Sequence, residues 1–176
     1  MEANLLKTQK HRLVSLAQSG MIAALYVALT ALLQPIGFGP VQCRLAEALT
    51  ILPVYLPSAV PGLTLGCFLS NLVGLTAGIN PAGAWDLLFG TAATGLAAVL
   101  SYCWRNVRVG GLPVLSTLPP IIINALVVGT ELYVVYGGMS LLIHIVFVAA
   151  GQTIACLLGG LVLATALQKS GLAERL

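Results

Sequence analysis

Charge is what this sequence has least of. Of 176 residues, 7% are Asp, Glu, Lys or Arg, while 59% are hydrophobic. A soluble domain carries roughly 25% charged residues, so this chain cannot clothe a water-facing surface. No soluble domain is left over, and residues 1–176 read as one membrane domain. The eight basic residues are dispersed and the net charge is only +3. That excludes the basic face or stripe of a nucleic-acid binder. Catalytic motifs are missing too: there is no HExxH, no Ser–His pairing at a known spacing, no Gly-rich phosphate loop and no Walker motif. The chain therefore reads as a non-enzyme that cannot hydrolyse ATP, and neither a cofactor nor a metal is expected. The four cysteines, Cys43, Cys67, Cys103 and Cys156, form no CxxC pair and have no histidine at metal-ligand spacing. Each sits in an apolar run and reads as a small buried hydrophobe.

What the chain does have is long apolar runs, broken by Gly and Pro. A bilayer core takes about 20 apolar residues per helix. Six spans follow, and the fold class is an all-α polytopic membrane protein. Span one runs over 14–34 and stops at Pro35; it is too long for a signal-peptide core. A loop with Gly37, Gly39 and Pro40 leads to a short span two over 45–56, between Pro40 and Pro57. Span three starts near Pro61 and ends near Gly78, span four covers 85–104, span five 119–136 and span six 141–167. Lys and Arg collect in cytoplasmic loops. With both termini cytoplasmic, Lys7, Lys10 and Arg12 of a basic segment 1–12 lie inside. So do Arg105 and Arg108, and Lys169 and Arg175 of a tail over 168–176. Seven of eight basic residues obey the rule, and Arg44 is the exception.

Ionisable groups within spans are costly and are functional candidates by default. Here they are Arg44, Glu47, Asp86, Glu131 and His144. With that topology all five fall on the outer side. Glu131 lies about 18 Å along span five at 1.5 Å per residue. Asn71, Asn124 and Gln152 join them, and Asn124 shares a helix face with Glu131, seven residues on. This predicts one polar pocket that opens outward. Structural roles compete with this reading. Arg44 and Glu47, three apart, can pair locally, Asp86 can cap span four, and Asn124 can satisfy backbone groups freed by Pro119 and Pro120. Asn71 can be helix–helix glue, His144 can be interfacial, and Trp85 can be an aromatic-belt residue or a stacking plate. Span one has almost no polar residue after Ser19 and carries a stripe of Gly20, Ala24, Ala28 and Ala31. Spans three and six carry similar stripes, Gly66, Ser70 and Gly74, and Gly151, Ala155 and Gly159. Small residues let another helix approach closely, and on the polar-free first span they suggest docking to a partner.

Four segments then resemble the QueT family. They are Val41-Gln42-Cys43-Arg44-Leu45-Ala46-Glu47-Ala48-Leu49-Thr50 followed by Leu52-Pro53, Asp86-Leu87-Leu88-Phe89-Gly90, Pro119-Pro120-Ile121-Ile122-Ile123-Asn124-Ala125, and Gly129-Thr130-Glu131-Leu132. The resemblance implies a substrate-binding S component of an energy-coupling factor (ECF) transporter in the plasma membrane. Its partners would be a membrane T protein and two cytoplasmic ATPases, with Ala24 and Ala28 contacting the T protein. The implied substrate is a queuosine precursor, a 7-deazaguanine base such as 7-aminomethyl-7-deazaguanine. A guanine-like edge offers an N–H and an amine to a carboxylate, and free bases are often held by stacking on aromatics. The residues expected to bind are Glu131, Asp86 and Asn124, then Glu47, Arg44, Trp85, Asn71 and Gln152. An S component for another vitamin or nucleobase, or a non-transporting assembly subunit, stays open at this point.

Overall fold

A computed structural model of the chain describes residues 2–34 and 43–174. Pro35, Gly37, Gly39 and Pro40 of the first loop, Val41 and Gln42 of the motif, and Arg175 of the tail lie outside the described residues. Among the described residues every regular element is helical, apart from an isolated bridge between Val109 and Leu112.

Five helices are long and apolar enough to cross a bilayer: Thr8–Leu32, Ala59–Thr76, Asp86–Cys103, Val114–Tyr136 and Leu141–Lys169. They correspond to expected spans one, three, four, five and six. The first helix begins earlier than expected, at Glu2, and runs 31 residues to Leu32. At 1.5 Å per residue that is roughly 46 Å, longer than a hydrocarbon core of about 30 Å. The basic segment is therefore a continuation of the helix rather than a separate element.

The expected second span takes a different form. Leu45–Val54 is a ten-residue 3-10 helix. Its rise is about 2.0 Å per residue, so it reaches roughly 20 Å and falls short of the core thickness. Seven of its ten residues are buried. It packs against the first, third, fourth and sixth helices and against the 3-10 turn Val114–Thr117. It is a central post wrapped by longer helices, and its Ala46 and Leu49 join Ile22, Tyr26, Leu63 and Cys67 in the main apolar core.

The first and third helices pack tightly because glycine lines their contact. A Cβ on Gly66 would sit 2.7 Å from Tyr26 Cβ, and one on Gly62 would sit 2.8 Å from the Ser19 carbonyl oxygen. The buried face of the first helix is Ser19, Ile22, Ala23, Tyr26 and Thr30. Gly20, Ala24, Ala28 and Ala31 face away from the protein, and a Cβ on Gly20 would meet nothing within 4 Å. The similar stripes on the third and sixth helices are used inside the molecule: Gly66 meets the first helix, and Gly159 meets Ala48 of the central post.

Two ends follow from this packing. At one, Ser58 Oγ donates to Gln18 Oε1 (2.9 Å), Gln168 Nε2 donates to the Gly111 carbonyl (3.2 Å), and the Arg108 guanidinium lies over the Tyr55 ring. Lys10, Arg12, Arg105, Arg108 and Lys169 belong to this end. The links 77–85 and 137–140 and Arg44 belong to the other.

Candidate functional site

Two helices carry π-helical turns, Asp86–Gly90 opening the fourth and Thr153–Gly159 within the sixth. Such turns insert a residue and are frequent at functional sites. The second packs against the central post, and the first is tied to the start of the post through Asp86; there Arg44 and Glu47 enter the bundle. Arg44, buried, forms an ion pair with Asp86 Oδ2. Asn80 Nδ2 donates to the same oxygen at 2.8 Å, and Asn71 Nδ2 donates to the Asp86 carbonyl at 2.7 Å. Gly90 makes room for this arrangement. A Cβ there would lie 1.9 Å from Asp86 Oδ1, so the carboxylate can fold back along its own helix only over a glycine.

Glu47 is the second hub. Its Oε1 accepts from the Tyr26 hydroxyl and from Thr94 Oγ1 (3.0 Å), and its Oε2 accepts from Asn124 Nδ2 (3.4 Å). Cys156 Sγ donates to Gln152 Oε1 at 3.1 Å and lies 3.6 Å from the Glu47 carbonyl. The first, fourth, fifth and sixth helices thus all meet the central post at one residue.

Some acceptors are left over. Asn71 Oδ1, Asp86 Oδ1, Asn124 Oδ1 and both carboxylate oxygens of Glu131 are buried without a hydrogen-bond partner among the described residues. The amide orientations are not arbitrary. Each side-chain NH2 points at an acceptor, a carbonyl for Asn71 and a carboxylate for Asn124, so each side-chain oxygen is the atom left open. The hydroxyls of Ser70, Thr91 and Ser116 and Nε2 of His144 are also unpartnered, but each of these can donate or accept. Buried polar atoms are normally paired, so such a set calls for an explanation.

Beside the polar centre lies a cavity of about 400 Å³, lined by Trp85, Phe89, Leu126, Val127, Thr130, Glu131, Val134 and Val135. Small-molecule sites run from roughly 300 to 1,000 Å³. The Trp85 and Phe89 rings stack at 5.6 Å with planes 15° apart. Glu131 is 8% exposed and is the one ionisable group on the wall.

Several expectations change here. The single polar pocket resolves into two parts: a closed centre holding Arg44, Glu47, Asp86, Asn71, Asn124 and Gln152, and a mostly apolar cavity holding Glu131 and Trp85. Arg44 and Glu47 do not pair as a local i, i+3 couple; Arg44 pairs with Asp86, 42 residues on. Asp86 Oδ2 is engaged by that ion pair and by Asn80, and the side chain makes no helix cap. The first helix is not polar-free after Ser19, since Tyr26 reaches the centre. His144 is fully buried, its Nδ1 3.2 Å from the Ser140 carbonyl and its ring edge-on to Tyr133. Cys67 and Cys156 are buried as expected, and each also meets a polar group, Thr94 Oγ1 and Gln152 Oε1; Cys43 is half-buried and Cys103 is exposed. Tyr26, Asn80, Thr94 and Phe89 were not anticipated. Tyr26 alone had a signal, because it lies about 20 Å beyond Leu13 along the helix, past mid-depth of an apolar run.

Among the described residues no group of His, Cys, Asp and Glu could hold a metal ion. Five long apolar helices around a buried polar centre define a multi-pass membrane protein. The chain belongs to the QueT transporter family, whose sequence model matches residues 16–169. That family consists of transporter S components, so the protein is a transport component and not an enzyme. Among curated proteins and solved structures, none matches the chain.

Proposed function

We propose that this chain is the substrate-binding S component of an ECF-type importer. It takes a queuosine precursor, a 7-deazaguanine base such as 7-aminomethyl-7-deazaguanine, from the outer side. The observation that carries this reading is the polarity of the open groups. Asn71 Oδ1, Asp86 Oδ1, Asn124 Oδ1 and the Glu131 carboxylate are all acceptors. A ligand that suits them is rich in donors, as is a deazaguanine with its ring N–H groups, exocyclic amine and aminomethyl arm. The exposed Trp85–Phe89 pair supplies a flat apolar wall for such a ring. Glu47, Arg44 and Gln152 then hold the acceptors in place, since their own polar groups are engaged by the protein.

The ends support the direction. Basic residues favour the cytoplasm, so the end with Arg105, Arg108 and Lys169 faces inward and the cavity lies toward the outside. Without ATPase motifs, the energy must come from a T protein and two ATPases. The open stripe of Gly20, Ala24, Ala28 and Ala31 is the face on which the T protein docks.

Equilibrium binding to the purified full-length protein tests the reading. Micromolar or tighter binding of 7-aminomethyl-7-deazaguanine supports it, and no binding of any deazaguanine overturns it. For docking, Ala24→Trp should abolish co-purification of the T protein while leaving substrate binding intact.

A further inference from the structure

The three buried carboxylates differ in how their charge is met. Asp86 is paired with Arg44. Glu47 spreads its charge over the Tyr26, Thr94 and Asn124 donors. Glu131 makes neither a hydrogen bond nor an ion pair with any described residue, although it is 8% exposed and faces the cavity. A carboxylate in an apolar, membrane-buried wall is costly unless something compensates it.

The surroundings of Glu131 favour a cation. Its neighbour Thr130 also lines the cavity, and the Thr130 hydroxyl donates to the Leu126 carbonyl at 2.6 Å, which leaves only its lone pairs for a ligand. Trp85 and Phe89 line the same cavity, and an aromatic ring attracts an ammonium group placed over its face. A neutral ring edge would be served as well by Asp86 Oδ1 or the Asn oxygens. A positive charge gains most at Glu131, because Asp86 is already neutralised by Arg44 and the Asn oxygens carry no charge.

We infer that Glu131 is the specificity-determining residue of the site: it is the counter-ion of a primary ammonium arm, so the protein selects an amine-bearing precursor over an uncharged one with the same ring. This rests on the deazaguanine reading above. It assigns Glu131 to the arm, with the ring held in the same cavity beside Trp85 and Phe89.

The test compares binding of 7-aminomethyl-7-deazaguanine with that of the neutral 7-cyano-7-deazaguanine and 7-hydroxymethyl-7-deazaguanine, using the full-length protein in detergent. The wild type should prefer the amine by about tenfold or more. Glu131→Gln should weaken amine binding by about 10- to 100-fold while holding the neutral bases within about threefold. Glu131→Asp should keep the preference. Equal affinity of the wild type for amine and neutral bases overturns the inference without any variant, and so does an equal loss of all three bases in Glu131→Gln. Failure of the wild type to bind any of the three overturns the deazaguanine reading itself, and the inference falls with it.

Discussion

Glu47 and Glu131 are both buried glutamates of a membrane bundle, and they stand in opposite situations. Glu47 accepts from three side chains on three different helices, Tyr26, Thr94 and Asn124. Glu131 accepts from none. The same residue type thus serves the fold at one place and stays open at another. Burial alone does not separate the two roles, since both lie beneath the surface. The difference lies in whether the protein itself supplies the donors.

Substitutions test this contrast, and the largest effect belongs to the closed centre. Asp86→Ala removes the ion-pair partner of a buried guanidinium, which costs about 3–5 kcal/mol. Thermal unfolding in detergent should show a large fall in Tm, with substrate binding abolished. Glu47→Ala strands the Tyr26, Thr94 and Asn124 donors, at about 1–3 kcal/mol for each buried group that finds no new partner. A net loss of about 3 kcal/mol in the same unfolding assay is expected, together with weakened binding as Asn124 loses its orientation. Tyr26→Phe deletes one of the three donors and should cost about 1–1.5 kcal/mol, with the fold intact. Glu131→Leu comes last: removing a carboxylate that has no partner should change stability by less than about 1 kcal/mol, or raise it, while binding of the aminomethyl base is lost. If Glu131→Leu unfolds at as low a temperature as Glu47→Ala, the distinction between the two glutamates fails.

The helices themselves were largely legible. Apolar runs bounded by Pro and Gly place the third to sixth helices to within a few residues, because a membrane core demands continuous apolar stretches. The second element was located from Pro40 and Pro57, yet its 3-10 form and its central position were not anticipated. The central position arises from packing, since the small residues Ala46 and Ala48 admit neighbours on several sides. The charged members of the site were legible because charge is so scarce. Their partnerships were not, since Arg44 and Asp86 are 42 residues apart and Glu47 and Asn124 are 77 apart. Thr94 was missed because a threonine hydroxyl in an apolar helix bonds just as readily to its own backbone, as Thr30 does with the Tyr26 carbonyl.

By itself, then, the order of residues determined that this is a helical membrane protein with one strongly basic end and a handful of polar groups toward the other, because hydrocarbon tolerates nothing else over such lengths. It also singled out Glu131, Asp86 and Asn124. Which of those groups engage one another and which remain open follows from how the helices pack. Hydrogen-bond capacity is consumed by neighbours in space, and the neighbours of Glu47 come from helices that meet only when the bundle closes around its central post.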